Sequence, residues 1–343
     1  MLFDNVSGRL GIVYNGLWDD KKLLDKVGMK EADFRLPGKE GEEKEAIQKA
    51  FKIFEGTVFE RKFEQATEGN GQEREKILTL HSSSRLSLLC FYHLDGERSL
   101  TINIEGKDIK FNRSVFEFKN PVINTPSNMD VVLVSEDDKV VLFLESKFTE
   151  YYVGAAKKGS AISEKYVDKD RYSGVFYKEN VLKAFGLKKI TSIDDEKLSA
   201  DEFKLATIDK SDVYLDGFKQ MICHYMGIRR RLDKDDLQED SSAKQKEVIE
   251  AISKEDCKIY LAEILYDNFL LPEIYSKRVL KPARAYAEYT SLYKKLAIKM
   301  NDELKKAGIA DRFKVLENSL KYTEVMKNNS YLEETTKQFY KLG

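Results

Sequence analysis

The sequence predicts an α/β fold in which helices flank a mixed central β-sheet. The first observation behind this prediction is a pair of apolar strands, 129–134 and 140–144, joined by a short polar turn. Uninterrupted apolar runs of this length are typical of central strands that are buried on both faces. The second observation is the helical spacing of apolar residues in 78–94 and 214–232, on either side of the hairpin. The third is a strand-like run at 258–266, for which a helix is the competing interpretation.

The charged residues are abundant but balanced. The chain of 343 residues is 42% hydrophobic, and its 58 basic and 59 acidic residues leave a net charge of −1. The apolar content is sufficient for a sizeable core. The near-zero net charge excludes a global attraction to nucleic acid or to an anionic membrane, so any such contact has to come from a local patch.

The sequence shows no sign of a membrane segment or of an oxidising compartment. No apolar run approaches the ~18 residues that are needed to cross a bilayer, and the first residues carry no leader pattern. The three cysteines are scattered through apolar surroundings without a Cys-x-x-Cys pair, which is typical of buried thiols in a reducing compartment. We expect a cytoplasmic protein that makes no contact with membranes.

Three regions are predicted along the chain. Residues 1–77 form an N-terminal extension that packs on the core, with a polar, glycine-containing loop at 64–75. Residues 78–272 form the core, within which 151–210 is a long and charged insertion close to the hairpin. Residues 273–343 form a C-terminal helical region. Long insertions beside a site often carry substrate contacts.

The core begins with elements that lead up to the hairpin. Residues 78–94 predict a largely buried helix, because their apolar positions recur with helical spacing. Residues 99–120 predict extended structure, with the clearest strand at 114–119. Glu117 is an acid inside that strand. It either adds a carboxylate to a site at the hairpin or points to solvent on a half-exposed face, and the sequence leaves both open.

Three ionisable residues interrupt the apolar hairpin. Residues two apart on a strand face the same way, so Glu145 and Lys147 share one face with Val141 and Phe143. Asp130 begins the neighbouring strand, and the start of one hairpin strand lies beside the end of the other. Because an unpaired buried charge is costly, each of these residues needs a partner or a function. We expect two carboxylates and an ammonium to meet at one edge of the sheet, as a cation site with an adjacent lysine.

The helix predicted at 214–232 adds further polar groups. Gln220 and His224 are i, i+4 neighbours and share one helical face. The arginine triplet 229–231 closes the helix with positive charge, which either complements the helix dipole or binds phosphate.

The rest of the chain predicts mainly helices. A short helix is predicted at 244–252, followed by the strand at 258–266. Good helix formers then continue through 283–306 and 312–342, which predicts a C-terminal bundle of two or three helices.

The order helix, three strands, helix, strand, combined with the charged residues of the hairpin, resembles the PD-(D/E)xK nuclease superfamily. Asp130 at the start of the second strand and Glu145-Ser146-Lys147 at the end of the third carry the resemblance. It covers about residues 78–270 and implies a restriction-endonuclease-like α-β-β-β-α-β core with a mixed central sheet, an N-terminal extension and C-terminal helices. The same stretch also resembles uncharacterised bacterial restriction-endonuclease-like proteins.

The match to the superfamily has two departures. Met129 stands where the family motif has proline. Gln220 is similar to the glutamine that several nuclease families carry on the helix after the motif, but His224 takes the place of their tyrosine.

The resemblance implies a metal-dependent endonuclease that hydrolyses phosphodiester bonds, most directly in DNA, in restriction, defence or repair. Mg²⁺, with Mn²⁺ as a substitute, is the expected cofactor, since it takes oxygen ligands. Lys147 would orient the attacking water or stabilise charge on the phosphate, and Gln220 would hydrogen-bond either group. The candidate catalytic residues are Asp130, Glu145, Lys147 and Gln220. The candidate metal ligands are Asp130, Glu145, the backbone carbonyl of Ser146 and, as an addition, Glu117.

Contact with DNA is expected from a local basic patch. Lysine and arginine contacts to phosphate make binding salt-dependent without reading the base sequence. A homodimer is compatible with cleavage of both strands of a duplex, and the C-terminal helices are candidates for its contact. The candidate nucleic-acid-binding residues are Lys157, Lys158, Arg229, Arg230 and Arg231.

Two alternatives to the nuclease stay open. One keeps the fold without the reaction, as a catalytically silent nucleic-acid-binding or assembly module. The other is an ordinary α/β protein in which Lys147 pairs with Glu145 as an ion pair at the end of a strand.

Overall fold

The central sheet and the helices around it make up most of the chain that a computed structural model describes. The described residues are 58–66, 83–122, 126–148, 187–189, 203–205, 216–232, 243–268, 282–327, 329–332, 336–337, 340 and 342. The predicted mixed α/β class is confirmed, because these residues form a seven-stranded mixed sheet with helices packed on both of its faces. A separate two-stranded sheet lies within the predicted insertion.

Two described helices precede the first strand of the central sheet, and the other described helices lie between or after its later strands. In chain order the elements are α1 (Val58–Ala66), α2 (Ser83–Phe91), β1 (Asp95–Ile104), β2 (Lys107–Asn120), β3 (Ser127–Ser135), β4 (Val140–Lys147), β5 (Leu187–Lys189), β6 (Phe203–Leu205), α3 (Asp216–Leu232), α4 (Ala243–Ser253), β7 (Lys258–Leu265), α5 (Pro282–Lys306), β8 (Phe313–Val315), β9 (Leu320–Lys321) and α6 (Tyr322–Met326). None of the described helices is long and apolar enough to cross a membrane.

Strand β4 lies between the antiparallel part and the parallel part of the central sheet. Strands β1 to β4 form an antiparallel meander, and β7 then pairs in parallel with β4. Strands β8 and β9 both pair in parallel with β7. A parallel pair needs a crossover connection, and α3 and α4 lie within the one between β4 and β7. Strand β4 is therefore central, with an antiparallel neighbour on one side and a parallel neighbour on the other.

The hairpin of β3 and β4 forms as the sequence predicts. The two strands pair antiparallel as far as Val131 and Leu144. At the turn, the hydroxyl of Ser135 accepts the backbone N–H of Val140 at 2.9 Å, so a side chain completes the hydrogen bonding of the tight connection.

Alternation along β4 divides its side chains between two cores. Val141 and Phe143 belong to the core that packs beneath α3, α4 and α5, whereas the intervening leucines belong to the core beneath α1, α2 and α6. Because Glu145 and Lys147 continue the first series, they lie on the face of the sheet that α3 covers.

Helix α3 packs very close to the end of β2. A Cβ atom added at Gly227 would lie 2.6 Å from the Cβ of Asn120 and 3.2 Å from Cγ2 of Val122. Such distances are shorter than a normal carbon–carbon contact, so glycine is what allows the helix to approach the sheet here.

Two parts of the described chain differ from expectation. The sequence predicts a loop at 64–75, but 64–66 are the last turn of α1, which Phe59 and Phe63 anchor in the core beneath α2. The sequence also predicts helix through 312–342, but the described residues of this segment include β8 and β9 ahead of the short helix α6. Strands of two or three residues are too short to show a period, and they form because the open edge of β7 offers backbone partners.

Candidate functional site

The hairpin strands separate where Asp130 meets the end of β4. Regular pairing stops at Val131 and Leu144. One residue further, the Oδ2 atom of Asp130 accepts the backbone N–H of Ser146 at 2.7 Å. A carboxylate thus takes the place of a backbone carbonyl in the ladder, which fixes the half-buried Asp130 against the end of β4.

The carbonyl of Ser146 lies on the same side of β4 as Asp130. The N–H of Ser146 points to β3, whereas the carbonyl of Lys147 points to β7 and accepts the N–H of Tyr266 at 2.9 Å. Successive carbonyls of a strand point to opposite sides, so the Ser146 carbonyl faces β3. The side chain of Ser146 lies on the other face of the sheet, where its hydroxyl hydrogen-bonds Tyr322 at 2.8 Å.

Glu145 and Lys147 form a buried ion pair. The Nζ atom of Lys147 donates to Oε1 of Glu145 at 2.6 Å and to Oε1 of Gln220 at 2.5 Å. Glu145 is 1% and Lys147 5% exposed. Buried charges are tolerated when they are paired and hydrogen-bonded, and both conditions hold here.

Helix α3 contacts this pair with two residues one turn apart. Gln220 touches Lys147, and His224 touches Glu145 through Nε2 and Oε2 at 2.8 Å. Four residues of helix rise about 6 Å, which matches the ~6.6 Å between strand residues two apart. The shared helical face of Gln220 and His224, which the sequence predicts, therefore fits the shared strand face of Glu145 and Lys147.

Ser127 extends the contact to β3. Its hydroxyl lies 2.5 Å from Nδ1 of His224, and both side chains are buried. Ser127 is missing from the residues predicted for the site. A single serine at the start of a strand carries no signal of its own, and only packing of α3 on the sheet brings it to His224.

Glu117, on β2, lies beside Asp130 of β3. The flanking pairs Phe116 with Val131 and Phe118 with Met129 place it opposite Asp130 across the two strands. It is buried, so the interpretation that it points to solvent is wrong.

The backbone of Glu117 is also unusual. Its φ of 49° is left-handed, a conformation that glutamate rarely adopts and that often marks a functional site. This distortion shifts the alternation of β2, since Val115 and Phe118, three residues apart, enter the same core.

The carboxylates differ in their electrostatic environment. Loss of solvation raises the pKa of Asp130 well above its usual value, and the neighbouring charge of Glu145 raises it further, whereas Lys147 opposes the shift. Burial also acts to raise the pKa of Glu145, but the charge of Lys147 and the contact with His224 outweigh it and lower that pKa. Two adjacent carboxyl groups whose pKa values are shifted in opposite directions are typical of functional sites.

A further buried acid stands next to Glu145. Glu263 on β7 is its direct partner in the parallel register and is fully buried. Its Oε1 atom accepts the hydroxyl of Tyr289 at 2.9 Å. The sequence contained a signal for it, since Glu263 interrupts the apolar run of β7 as Glu145 interrupts that of β4.

The predicted basic residues do not join this site in the described part of the chain. Lys157 and Lys158 lie outside the described residues. Arg230 donates to the carbonyl of Val122 at 3.2 Å. Arg231 donates to that of Lys119 at 2.9 Å and stacks over the ring of Phe118, and Arg229 is buried.

These contacts tie the end of α3 to the end of β2, about 15 Å along the helix from Gln220. They favour a structural role for Arg230 and Arg231, and phosphate binding by the triplet stays a prediction.

The oxygen atoms at the strand ends fit a hard divalent cation. Among the residues that the structure describes, no three His, Cys, Asp or Glu side chains form a cluster able to hold a metal ion. A site here would therefore combine Asp130 and Glu145 with the carbonyl of Ser146, all of them oxygen donors of the kind that Mg²⁺ takes. Each carboxylate oxygen accepts two bonds. Glu145 can therefore keep its contacts with Lys147 and His224 and still coordinate.

The chain matches no protein-family model, no curated protein and no solved structure. Its function has to be inferred from the residues themselves.

Proposed function

We propose that the protein is a metal-dependent nuclease of the PD-(D/E)xK type that hydrolyses phosphodiester bonds, most directly in DNA. One observation carries the proposal. Asp130 is bound to the backbone of Ser146, so that it lies beside the buried Glu145–Lys147 pair at the end of a central strand. Two carboxylates, a carbonyl and a lysine are the groups that such hydrolysis uses.

The fold supports the same proposal. The elements α2, β2, β3, β4, α3 and β7 follow the order α-β-β-β-α-β, with β1 inserted between α2 and β2, the small β5–β6 sheet between β4 and α3, and α4 between α3 and β7. Strand β4 is central and mixed in its pairing. A restriction-endonuclease-like core is therefore the finer fold that we propose for this sheet.

Hydrolysis forms a bond from water oxygen to phosphorus and breaks the bond to the leaving oxygen, which takes up a proton. Asp130, Glu145 and the Ser146 carbonyl would hold Mg²⁺. When bound, the cation would neutralise phosphate charge and lower the pKa of the attacking water. Lys147 lies beside these ligands and would place its positive charge on the phosphate or orient the water. Gln220 holds the Lys147 ammonium at 2.5 Å and so limits where it can point.

The decisive test is cleavage by the purified protein. We expect nicking or degradation of plasmid, linear or branched DNA in Mg²⁺ or Mn²⁺, and none in EDTA. An RNA substrate is included to decide between the two nucleic acids. Lys147→Ala and Asp130→Ala should each reduce the rate by at least ~10²–10³-fold, since each removes a group that acts on developing charge.

Lys295→Ala is the matched control, because this lysine is exposed on α5. It should cleave like the wild-type protein, and thermal melting should show that every compared variant is folded. If wild-type protein and all variants behave alike on every substrate, the proposed reaction is wrong.

A second candidate function is a nucleic-acid-binding or assembly module without catalysis. It is favoured by the contacts of Glu145, because Lys147 and His224 hold its two carboxylate oxygens as in a structural ion-pair network. For such a module, calorimetry would detect no binding of Mg²⁺ or Mn²⁺, and a mobility-shift assay would detect DNA binding without cleavage. Cation binding together with cleavage would exclude it.

A further inference from the structure

A continuous chain of hydrogen bonds runs through His224. Its Nε2 atom lies 2.8 Å from Oε2 of Glu145, and its Nδ1 atom lies 2.5 Å from the hydroxyl of Ser127. The imidazole is 2% exposed, Glu145 is 1% and Ser127 is 8% exposed. All three groups are therefore largely shielded from water.

The partners of His224 fix how its ring carries hydrogen. Ionised Glu145 can only accept hydrogen bonds, so Nε2 has to carry a hydrogen. A serine hydroxyl can donate or accept, so Ser127 can bond Nδ1 whether or not that nitrogen carries a hydrogen. Glu145 therefore requires the hydrogen on Nε2, and Ser127 holds the ring from its other side.

The same chain of contacts joins the elements that carry the two carboxylates. Ser127 and Asp130 both lie on β3, three residues apart, and Glu145 lies on β4. The strands no longer pair regularly at this point, so backbone hydrogen bonds do not set the distance between Asp130 and Glu145. The connection from Ser127 through His224 to Glu145 spans the gap from the side of α3.

We propose that His224, oriented by Ser127, is a positioning residue that holds the Glu145 carboxylate for a divalent cation. This inference rests on the proposed function, since it concerns the same cation. Lys147 restrains Oε1 of Glu145 and His224 restrains Oε2, so the carboxylate is held in one orientation. Groups that orient ligands in this way typically change metal affinity by ~10–100-fold when they are removed.

Two replacements of His224 separate its two contacts. The side-chain amide nitrogen of glutamine lies near the position of imidazole Nε2, so His224→Gln keeps a donor to Glu145. The amide of asparagine lies near the position of Nδ1, so His224→Asn keeps the contact with Ser127 and loses the one with Glu145. Both replacements are neutral amides, which makes each a control for the other.

The experiment is calorimetric titration of the full chain with Mg²⁺ and with Mn²⁺, beside thermal melting of each variant. We expect His224→Asn to bind the cation ~10–100-fold more weakly than wild-type protein. His224→Gln should bind with an affinity close to that of wild type. Among serine variants, Ser127→Ala should weaken binding, whereas Ser127→Thr keeps the hydroxyl and should not.

The outcomes distinguish the inference from the proposed function. If wild-type protein binds the cation and folded His224→Asn binds it equally well, the inference is wrong and the nuclease proposal stands. If His224→Asn does not fold, equal affinities of Ser127→Ala and Ser127→Thr overturn the inference instead. If wild-type protein binds the cation but cleaves no nucleic acid, the nuclease proposal is wrong, and a weakened His224→Asn still supports the inference. A wild-type protein that binds no cation overturns both.

Discussion

His93 should make the stability of this protein fall between pH 6.5 and pH 4. The imidazole is 1% exposed, and neither ring nitrogen has a hydrogen-bond partner within the described residues. The pKa of His93 is lowered from 6.5 to about 4, mainly by burial and also by the charge of Arg98, whereas Asp95 opposes the shift. The folded protein therefore holds His93 neutral in a range where the unfolded chain binds a proton.

The sign and the size of the effect follow from this difference. Because the folded pKa is the lower one, the stabilising contribution is complete above pH 6.5 and is lost as the pH falls to 4. A pKa difference of one unit corresponds to ~1.4 kcal/mol, so the full loss is about 3 kcal/mol. By pH 4.5 about 2.5 kcal/mol of it should be gone.

The assay is urea unfolding of wild-type protein and His93→Phe at pH 7.5 and pH 4.5. Phenylalanine fits between the rings of Tyr92 and Tyr331, which lie 5.9 and 5.7 Å from His93, and it cannot titrate. The other titrating groups are common to both proteins, so the difference between their free energies of unfolding isolates His93. We expect that difference to shift by about 2.5 kcal/mol in favour of the variant at pH 4.5. A difference that stays constant within ~0.5 kcal/mol would refute the reasoning.

Three further changes test the packing and the charges of the fold. Gly227→Ala places a Cβ 2.6 Å from that of Asn120. The overpacking should lower the free energy of unfolding by ~1–3 kcal/mol, which outweighs the ~1 kcal/mol that alanine gains in helix propensity. A variant more stable than the wild-type protein would contradict this. Lys147→Met leaves Glu145 buried without its ammonium and should cost ~3–5 kcal/mol. Adding Glu145→Gln should restore part of that loss, whereas additive losses would show that the two charges are not coupled. Asp138→Asn removes partly exposed ion pairs with Arg113 and Lys254 and should cost about 1 kcal/mol, with a smaller loss at high salt.

Much of the fold could be predicted because its elements are long and strongly patterned. The apolar strands of the β3–β4 hairpin and the helical spacing of α3 and α5 are visible within elements of eight to twenty-five residues. Short elements escaped prediction, since β8 and β9 have three and two residues and exist only because they pair with β7. The location of the protein in the cytoplasm and its assembly as a homodimer stay predictions.

The candidate site likewise has features that the sequence predicts and features that only the fold creates. The sequence alone determined that Asp130, Glu145 and Lys147 stand as charges inside an apolar hairpin, and strand alternation placed Glu145 and Lys147 on one face. Only the tertiary structure decided which groups surround them. Ser127 and His224 are 97 residues apart and Glu145 and His224 are 79 apart, so no local period links them. His224 reaches Ser127 and Glu145 because α3 packs closely over the sheet. Glu117 is buried where its own left-handed backbone shifts the alternation of β2, and no sequence pattern predicts that conformation.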